Sequence, residues 1–561
     1  MCFYIVQQFL LRKDPSSPSS PSESVLQHMV RFNREKPCLA CLGVLQVLDD
    51  GDFMQHMFDT IQNSGYDTDM YYLALTTPVS VLMRHFQLWY HLQDLFSDLP
   101  FLQTSPNTPD VADVKEVFKW VVGHVLFMKI RMKFQFEGRF QVRLNIHHAE
   151  TQLECLKLAP EIDEAQFLRD LEAERRTFLR QPAPETSTTA FPHLHEVEKA
   201  ADGQSTNEDY QYSNQGPPRK RRKGVAVDGV TAVTAKLRTL SKAEFISLLA
   251  PNAPRNPITN KQSIDPPTSI EKRAEFEFSF HHLSVYAAGR YCKYSRTVSQ
   301  SPWIIDGIRK AGKSVQEFIG DVLVKYFKAD GYNFLSAGRE DVDVRMLGRG
   351  RPFALEMINP RKPKLDVATY TLMQHEINAS ASGLVHVVDL QEVSEKQVSV
   401  MKDGEDTKRK SYRAVVWAAA PLTRETIEGL STTSEFIIDQ LTPVRVLHRR
   451  SLMNRKKTIH SLRGEFINDH YAILDLTTQA GTYIKEFVHS DLGRTKPSFC
   501  EFIKQDQADI LLLDVTEVDL DFPPRLQNEQ EPPQAENIVK GLDITLAVPE
   551  KPTGSEVSLM E

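Results

Sequence analysis

The sequence predicts an α+β protein, because segments with helical spacing and segments with strict alternation occupy different stretches of the chain. Apolar residues recur at helical spacing in residues 53–58 and 114–128. Alternation of period two, which is typical of strands, is found in residues 131–136, 140–146, 275–280 and 471–476. We therefore expect a helix-plus-sheet block in the N-terminal part, and the last two alternating segments are consistent with further sheet.

Length and composition are those of an ordinary soluble protein. A chain of 561 residues suggests two to three domains, each able to bury a full core. No run approaches the roughly 18 apolar residues that a membrane span needs. The cysteines are mostly isolated, which predicts a reducing compartment and no disulfide framework. They are Cys2, Cys38, Cys41, Cys155, Cys292 and Cys500.

Changes in composition divide the chain into five predicted regions. They are a loose Ser/Pro-rich N-terminus (1–24), an accessory region (25–182), a disordered insert (183–270), a C-terminal domain (271–525) and an acidic disordered tail (526–561). The insert carries a basic cluster from Arg219 to Lys223. This cluster suits a nuclear import receptor or nonspecific RNA contact, and a solubilising linker is the alternative.

The most informative segment is residues 338–348 (GREDVDVRMLG). It places Asp341 in a glycine-bounded loop between an apolar segment and an alternating one, with Arg339 and Arg345 nearby. A carboxylate that cations keep ionised can act as a nucleophile or a base. Two later segments fit that chemistry: residues 410–417 (KSYRAVVW) offer Tyr412 on a strand, and residues 481–489 (GTYIKEFVH) offer a second tyrosine and a lysine.

These three segments, in this order, resemble the signature of RNA pseudouridine synthases. GRED at 338–341 resembles the family's G-R-x-D motif, Tyr412 lies in a K-x-Y strand motif, and GTYIK at 481–485 is similar to G-T-Y-I-[RK]. Four more segments narrow the resemblance to one tRNA-modifying subfamily, namely residues 288–296, 301–307, 441–450 and 487–497. Seven ordered motifs make coincidence very improbable, whereas G-R-x-D alone would be weak evidence.

The resemblance implies a fold, a substrate and a reaction. The C-terminal domain would be a catalytic domain with a mixed, mainly antiparallel sheet and an RNA-binding cleft. The accessory region would contain a THUMP domain that recognises tRNA ends. The substrate would be the TΨC arm of tRNA, at uridine 55 and optionally 54 in conventional tRNA numbering. The isomerisation needs no cofactor or metal.

The resemblance also assigns roles to residues. Asp341 would be the catalytic group, by attack on the sugar or base or by removal of the ribose C2′ proton. Lys485, or less favourably Arg339, would pair with Asp341 and counter the rise in its pKa on desolvation. Tyr412 would press its ring on the uracil, and its hydroxyl would be available to help remove the C5 proton. Tyr483 would line the pocket from the neighbouring strand.

Charge is distributed unevenly along the chain. The formal net charge is −7, yet the stretch from Thr442 to Gly464 contains no acidic residue. Its cations would neutralise RNA phosphates, with a solvated loop face as the alternative. They are Arg445, Arg449, Arg450, Arg455, Lys456, Lys457 and Arg463.

Several alternatives remain open at this point. Asp341 and Asp343 would hold magnesium as a D-x-D pair if they lay on a strand, where alternate residues share a face; if the segment is a loop, that geometry is lost. Asp343 itself is expected to be structural. A non-catalytic RNA-binding adaptor is the alternative from another functional class.

Cys38 and Cys41 have the spacing of half a zinc site, but no second upstream pair is present, so zinc is not expected. We expect a monomer acting in the nucleus, the cytoplasm or both.

Overall fold

The chain forms two compact units, residues 1–283 and 284–561, in this computed structural model. The structure describes residues 36–95, 113–152, 154, 267–405, 408–448, 450–527 and 531–533. The predicted loose N-terminus, most of the predicted insert with its basic cluster, and nearly all of the predicted acidic tail lie outside these residues. No helix within the described ranges is long and apolar enough to cross a membrane.

The first unit packs helices on a four-stranded sheet. Its helices are α1 (Gly51–Gln62), α2 (Val79–Leu95), α3 (Val114–Ile130) and α4 (Ala149–Gln152). Its strands are β1 (Met70–Thr76), β2 (Lys133–Phe134), β3 (Phe140–His147) and β4 (Glu275–His282). The sheet order is β2-β1-β3-β4, with β1 parallel to both β2 and β3 and β4 antiparallel to β3.

Both predicted helices of this unit and the strand predicted at 140–146 are present. Their regularly spaced apolar residues face the core. Helix α3 starts at a capping box between Asp113 and Glu116 and buries Phe118, Val122 and Leu126, each four residues apart. Strand β3 buries alternate residues, as its sequence predicts. The predicted strand at 131–136 is reduced to the two-residue edge strand β2, because Arg131 adopts a left-handed conformation at the end of α3 (φ 59°).

One alternating segment belongs to a different sheet from the one expected. Residues 275–280 were assigned to the catalytic domain, but β4 pairs along its whole length with β3 in the first unit. Alternation specifies a half-buried strand but not its partner, so the assignment of this strand was wrong. The two units divide between Leu283 and Ser284, after the boundary predicted at residue 271.

The second unit is built on a ten-stranded sheet. Its strands are β5 (Val285–Lys293), β8 (Gly331–Ser336), β9 (Arg345–Ile358), β10 (Val385–Val393), β11 (Lys410–Ala418), β12 (Phe436–Leu441), β13 (Asn454–Asn468), β14 (Tyr471–Thr478), β15 (Thr495–Lys496) and β16 (Ala508–Val518). A separate hairpin is formed by β6 (Ile304–Ile305) and β7 (Ile308–Arg309). The helices are α5 (Val315–Phe327), α6 (Val367–Ser380), α7 (Glu395–Glu405), α8 (Arg424–Gly429), α9 (Ile484–His489) and α10 (Phe499–Phe502).

The order of the strands brings the three sequence motifs together. It is β10-β5-β9-β16-β11-β14-β13-β12-β15, with β8 paired to β9. In the described part of this second sheet, β9 and β16 pair in parallel and the other pairs are antiparallel, which confirms the predicted mixed, mainly antiparallel sheet. The GRED loop precedes β9, Tyr412 lies on β11, and the GTYIK segment follows β14, so all three belong to the centre of the sheet.

Candidate active site

A cleft of about 340 Å³ opens where these three motifs meet. The predicted residues Arg339, Asp341, Tyr412, Tyr483 and Lys485 all line it. The remaining lining residues are Gly338, Glu340, Val344, Arg351, Lys410, Arg445, Val446, Arg450, Gly481, Thr482, Ile484, Leu513 and Val515. Five residues from three separate segments of the sequence therefore share one surface.

Asp341 lies in the loop between β8 and β9, where the chain turns sharply. Gly338 has φ +93°, in the region that favours glycine, and it lets the chain leave β8. The carbonyl of Asp341 accepts a hydrogen bond from the amide of Val344 at 3.1 Å, which closes the turn before β9. The Asp341 carboxylate remains 44% exposed at the cleft.

Two cations contact the Asp341 carboxylate. Arg445 Nη1 lies 3.3 Å and Lys485 Nζ 3.5 Å from Asp341 Oδ2. Lys485 lies closer to Asp343, at 2.8 Å from Oδ2, so its ammonium is shared between the two carboxylates. Paired cations favour the ionised form of a carboxylate, which either catalytic role of Asp341 requires.

Asp343 lies near Asp341 and shares a cation with it. The segment is a turn rather than a strand, and Lys485 draws both carboxylates toward one nitrogen. Burial tends to raise the pKa of Asp343, but the hydrogen bond and charge of Lys485 outweigh it and hold that pKa below its usual range. The strand geometry on which a D-x-D magnesium site depended is not what the chain adopts.

Arg445 is held from behind by a buried carboxylate. It lies on a short 3₁₀ turn (Val444–Val446), and its Nε donates to Glu486 Oε1 at 2.6 Å. The Glu486 side chain is 2% exposed, and its other oxygen has no hydrogen-bond partner among the described residues. The sequence predicts that Arg445 binds RNA, and that prediction stays open; the structure adds that Arg445 is an ion-pair partner of Asp341.

Tyr412 stands on β11, as predicted, with its ring half-buried at the cleft. Burial raises the pKa of Tyr412 to about 12, although the nearby charge of Arg351 opposes the rise. Its hydroxyl is therefore protonated at neutral pH. This leaves the ring available for stacking and makes the phenol a hydrogen-bond donor rather than a ready base.

Tyr483 lies at the cleft but not on a strand, which corrects the prediction. It precedes α9, and the buried side chain of Gln440 bonds both its backbone N–H (3.0 Å) and its carbonyl (2.9 Å). Its hydroxyl accepts a hydrogen bond from Arg450 at 3.2 Å, and the Arg445 guanidinium lies 6.0 Å from its ring centroid. Tyr483 thus links two of the predicted basic residues to the site.

The two loop arginines differ in function. Arg339 is exposed at the cleft and forms no ion pair with Asp341 in the described part of the chain. Arg345 binds the buried carboxylate of Asp514 through Nε (2.9 Å) and Nη2, and Arg296 Nη2 shares that carboxylate at 2.6 Å. Arg345 is therefore an anchor of β9 against β16.

Comparison with known proteins places the residues of this cleft in a known protein family. A family model described as "Pus10, C-terminal" matches residues 286–519, and one described as "Eukaryotic Pus10, N-terminal" matches residues 38–180. A Xenopus laevis protein named tRNA pseudouridine synthase Pus10 is 34% identical over 88% of this chain and 82% of its own length. The chain belongs to the Pus10 family. The predicted superfamily and enzyme class, an isomerase, are thereby confirmed.

The chain is also similar to proteins from other organisms. The Homo sapiens protein named tRNA pseudouridine synthase Pus10 is 33% identical over 88% of this chain and 80% of its own. The protein of that name from Thermofilum pendens is 40% identical but covers only 40% of this chain and half of its own length. A solved Cbf5–Nop10–Gar1 complex aligns at 13% identity over 41% of this chain and 48% of that chain, with a TM-score of 0.23.

A buried network beneath the loop was not foreseen from sequence. Glu340, the variable position of G-R-x-D, forms an ion pair with Arg351 at 2.8 Å, with both side chains almost fully buried. Tyr291 donates to both Glu340 oxygens at 3.0 Å, and Gln300 donates to Tyr291 and to the Gly338 carbonyl. The signal was present, since Tyr291 lies in one of the quoted Pus10-like segments, but nothing in the sequence pairs it with residue 340.

The remaining predicted residues have mixed outcomes. Arg450 lines the cleft, whereas Arg449 lies outside the described residues. Cys38 and Cys41 are buried in a turn of the first unit. No group of three or more His, Cys, Asp or Glu side chains among the described residues is placed to hold a metal ion.

Proposed function

We propose that this Pus10 family member is a tRNA pseudouridine synthase in which ionised Asp341 acts on a uridine turned out of the TΨC arm. The observation that carries the proposal is the convergence of Asp341, Tyr412 and Lys485 on one cleft, although they come from three separate segments. A flipped base needs a pocket with a ring to stack on, and Tyr412 provides that ring.

The reaction makes limited demands on the protein. The N1–C1′ bond breaks, the uracil turns, a C5–C1′ bond forms, and the C5 proton is lost while N1 gains one. Uridine and pseudouridine are isomers, so no redox partner is consumed. Asp341, with Arg445 and Lys485 beside it, begins as a carboxylate, which suits attack on sugar or base and also removal of the C2′ proton.

Uridine 55, with 54 as a second position, is proposed on the family resemblance. The names of the relatives support tRNA as the substrate. The cations near the cleft, Arg445 and Arg450, support binding of a polyanion. We further propose that the first unit contributes to tRNA binding, that the cluster from Arg219 to Lys223 binds a nuclear import receptor, and that the protein acts in the nucleus, the cytoplasm or both.

The test is Asp341→Asn, assayed by tritium release from tRNA that carries [5-³H]uridine. We expect turnover to be abolished while the Kd for tRNA stays within about threefold, because an uncharged NH2 group of nearly the same size replaces one carboxylate oxygen at a half-exposed position. Asp321→Asn, at an exposed helical position of the same unit, is the matched control. Normal turnover by Asp341→Asn would refute the catalytic assignment. An adaptor would instead keep its cellular function in this variant, and wild type would release no tritium.

A further inference from the structure

Lys293 is a fully buried lysine beneath the loop that carries Asp341. It is the last residue of β5, and its side chain has no solvent exposure. Its Nζ donates to three backbone carbonyls: Val298 at 3.0 Å, Asp341 at 3.1 Å and Val342 at 2.8 Å. Two of the three acceptors therefore belong to Asp341 and the residue that follows it.

The chemistry of the contact is specific to an ammonium group. An ammonium has three N–H donors, and three carbonyls are arranged to accept them. A neutral amine has only two, and an apolar side chain of the same length has none. Burying a charge is costly unless it is well compensated. The three carbonyls accept from the Lys293 ammonium, and the negative charges of nearby acidic residues also favour it. Packing alone does not explain a charged side chain with no solvent exposure at this position.

The loop needs such support. Residues 337–344 lie outside helix and strand, so most of their carbonyls lack a ladder partner. The Glu340–Arg351 pair holds the preceding part of the loop, and Arg351 Nη1 also bonds the Ala337 carbonyl. The carbonyl of Val342 is bonded by Lys293, and that of Asp341 by Lys293 and the amide of Val344.

We propose that Lys293 is a positioning residue that fixes the backbone of Asp341, and so aims its carboxylate at the bound uridine. The inference rests on the proposed catalytic role of Asp341. Lys293 touches no substrate; it acts by setting the distance between the Asp341 oxygens and the reacting atoms. Such distances are critical, since a misplacement of about 1 Å can cost about 100-fold in rate.

The first experiment compares two variants, Lys293→Met and the control Lys325→Met. Lys325 lies on α5, and its side chain is 69% exposed. Single-turnover rate and tRNA Kd are measured at a temperature where circular dichroism shows each variant folded. We expect Lys293→Met to react about 100-fold more slowly with Kd changed less than about threefold, and Lys325→Met to resemble wild type. A wild-type rate in Lys293→Met would overturn the proposal.

Asp341→Asn is run in parallel so that two failures can be distinguished. If Asp341→Asn is active, the proposed function itself is wrong. If it is inactive while Lys293→Met reacts normally, only the role of Lys293 is wrong.

A second measurement needs no variant and decides the matter if Lys293→Met does not fold. Burial lowers the pKa of Lys293 to about 8, with Arg296 acting in the same direction and Glu340, Asp343 and Asp341 opposing it. Above that pH the amine loses one of its three donors. The wild-type single-turnover rate should therefore fall as pH rises from 7 to 9, at saturating tRNA. A rate that stays level over that interval would overturn the proposal.

Discussion

Glu486 accepts a 2.6 Å hydrogen bond from Arg445 Nε, while Nη1 of the same guanidinium lies 3.3 Å from Asp341. The Glu486 carboxylate, which is 2% exposed, thus orients the Arg445 guanidinium. That guanidinium in turn faces the Asp341 carboxylate, which is 44% exposed. Arg445 is consequently a fixed element of the site rather than a mobile surface arginine, and Lys485 is not the sole partner of Asp341.

Replacing Glu486 should impair turnover through Arg445. We expect Glu486→Gln and Arg445→Met each to lower the single-turnover rate, because either change frees or removes the cation beside Asp341. If Glu486 acts only through Arg445, the double variant should be no slower than Arg445→Met. If the rate loss of the double variant equals the product of the two single losses, Glu486 acts independently of Arg445.

Tyr412 should contribute mainly through its ring. Tyr412→Ala should weaken tRNA binding by about 1–3 kcal/mol, the usual contribution of one stacked base, whereas Tyr412→Phe should bind as wild type does. Equilibrium binding of tRNA to the three proteins measures this. Equal affinity of the Ala variant and wild type would contradict stacking in the bound state.

The phenol of Tyr412 should not titrate near neutrality. Since its pKa is raised to about 12, the hydroxyl stays protonated throughout the physiological range. Tyr412→Phe should therefore leave the shape of the rate profile between pH 6 and 9 unchanged, whatever its effect on the absolute rate. A limb of that profile that disappears in Tyr412→Phe would contradict the prediction.

Breaking the buried pair beneath the loop should destabilise the second unit. Glu340→Gln leaves the Arg351 charge uncompensated in an almost fully buried position, and we expect a loss of about 3–5 kcal/mol in the free energy of unfolding. Urea unfolding monitors the change. The control, Glu376→Gln, disrupts the more exposed contact with Lys325 and should cost no more than about 1 kcal/mol.

Arg450 should contribute to the salt dependence of binding. Removing one phosphate-contacting cation lowers the slope of log affinity against log salt by about 1, so Arg450→Ala should bind tRNA with a shallower slope. Affinities measured across a series of salt concentrations test this. An unchanged slope would mean that Arg450 serves Tyr483, whose hydroxyl it bonds, and not the RNA.

Stability should change with pH in the opposite sense to activity. The pKa of Lys293 is about 8 in the folded protein and about 10.4 in an unfolded chain, so between these values the unfolded state binds more protons. The free energy of unfolding of wild type, relative to Lys293→Met, should therefore rise from pH 8 to pH 10. Denaturant titrations of both proteins over that interval provide the measurement.

Motif order was sufficient to predict the family. The resemblance to that family in turn implied the class of sheet and several of the residues that line the cleft. Asp341, Tyr412 and Lys485 could be chosen from sequence because each lies in a short local pattern. Strand β11 and the loop after β8 follow from those local patterns as well.

The pairing of strands within the sheets could not be predicted from local sequence patterns. β4 alternates as a strand of either unit would, yet it pairs with β3, because alternation fixes which face is buried and not which neighbour is bonded. Tyr483 looked like a strand residue and instead precedes a helix.

The partners of the loop that carries Asp341 were likewise decided only by the tertiary structure. Lys293, Arg351, Arg445 and Glu486 lie between 10 and 145 residues from Asp341 in the sequence. Lys293 lies on β5, Arg351 on β9, Arg445 in the 3₁₀ turn after β12 and Glu486 in α9. Their contacts arise because these elements converge around the loop between β8 and β9. Hydrogen bonds and ion pairs depend on distances of about 3 Å, and such distances are set by packing rather than by local sequence.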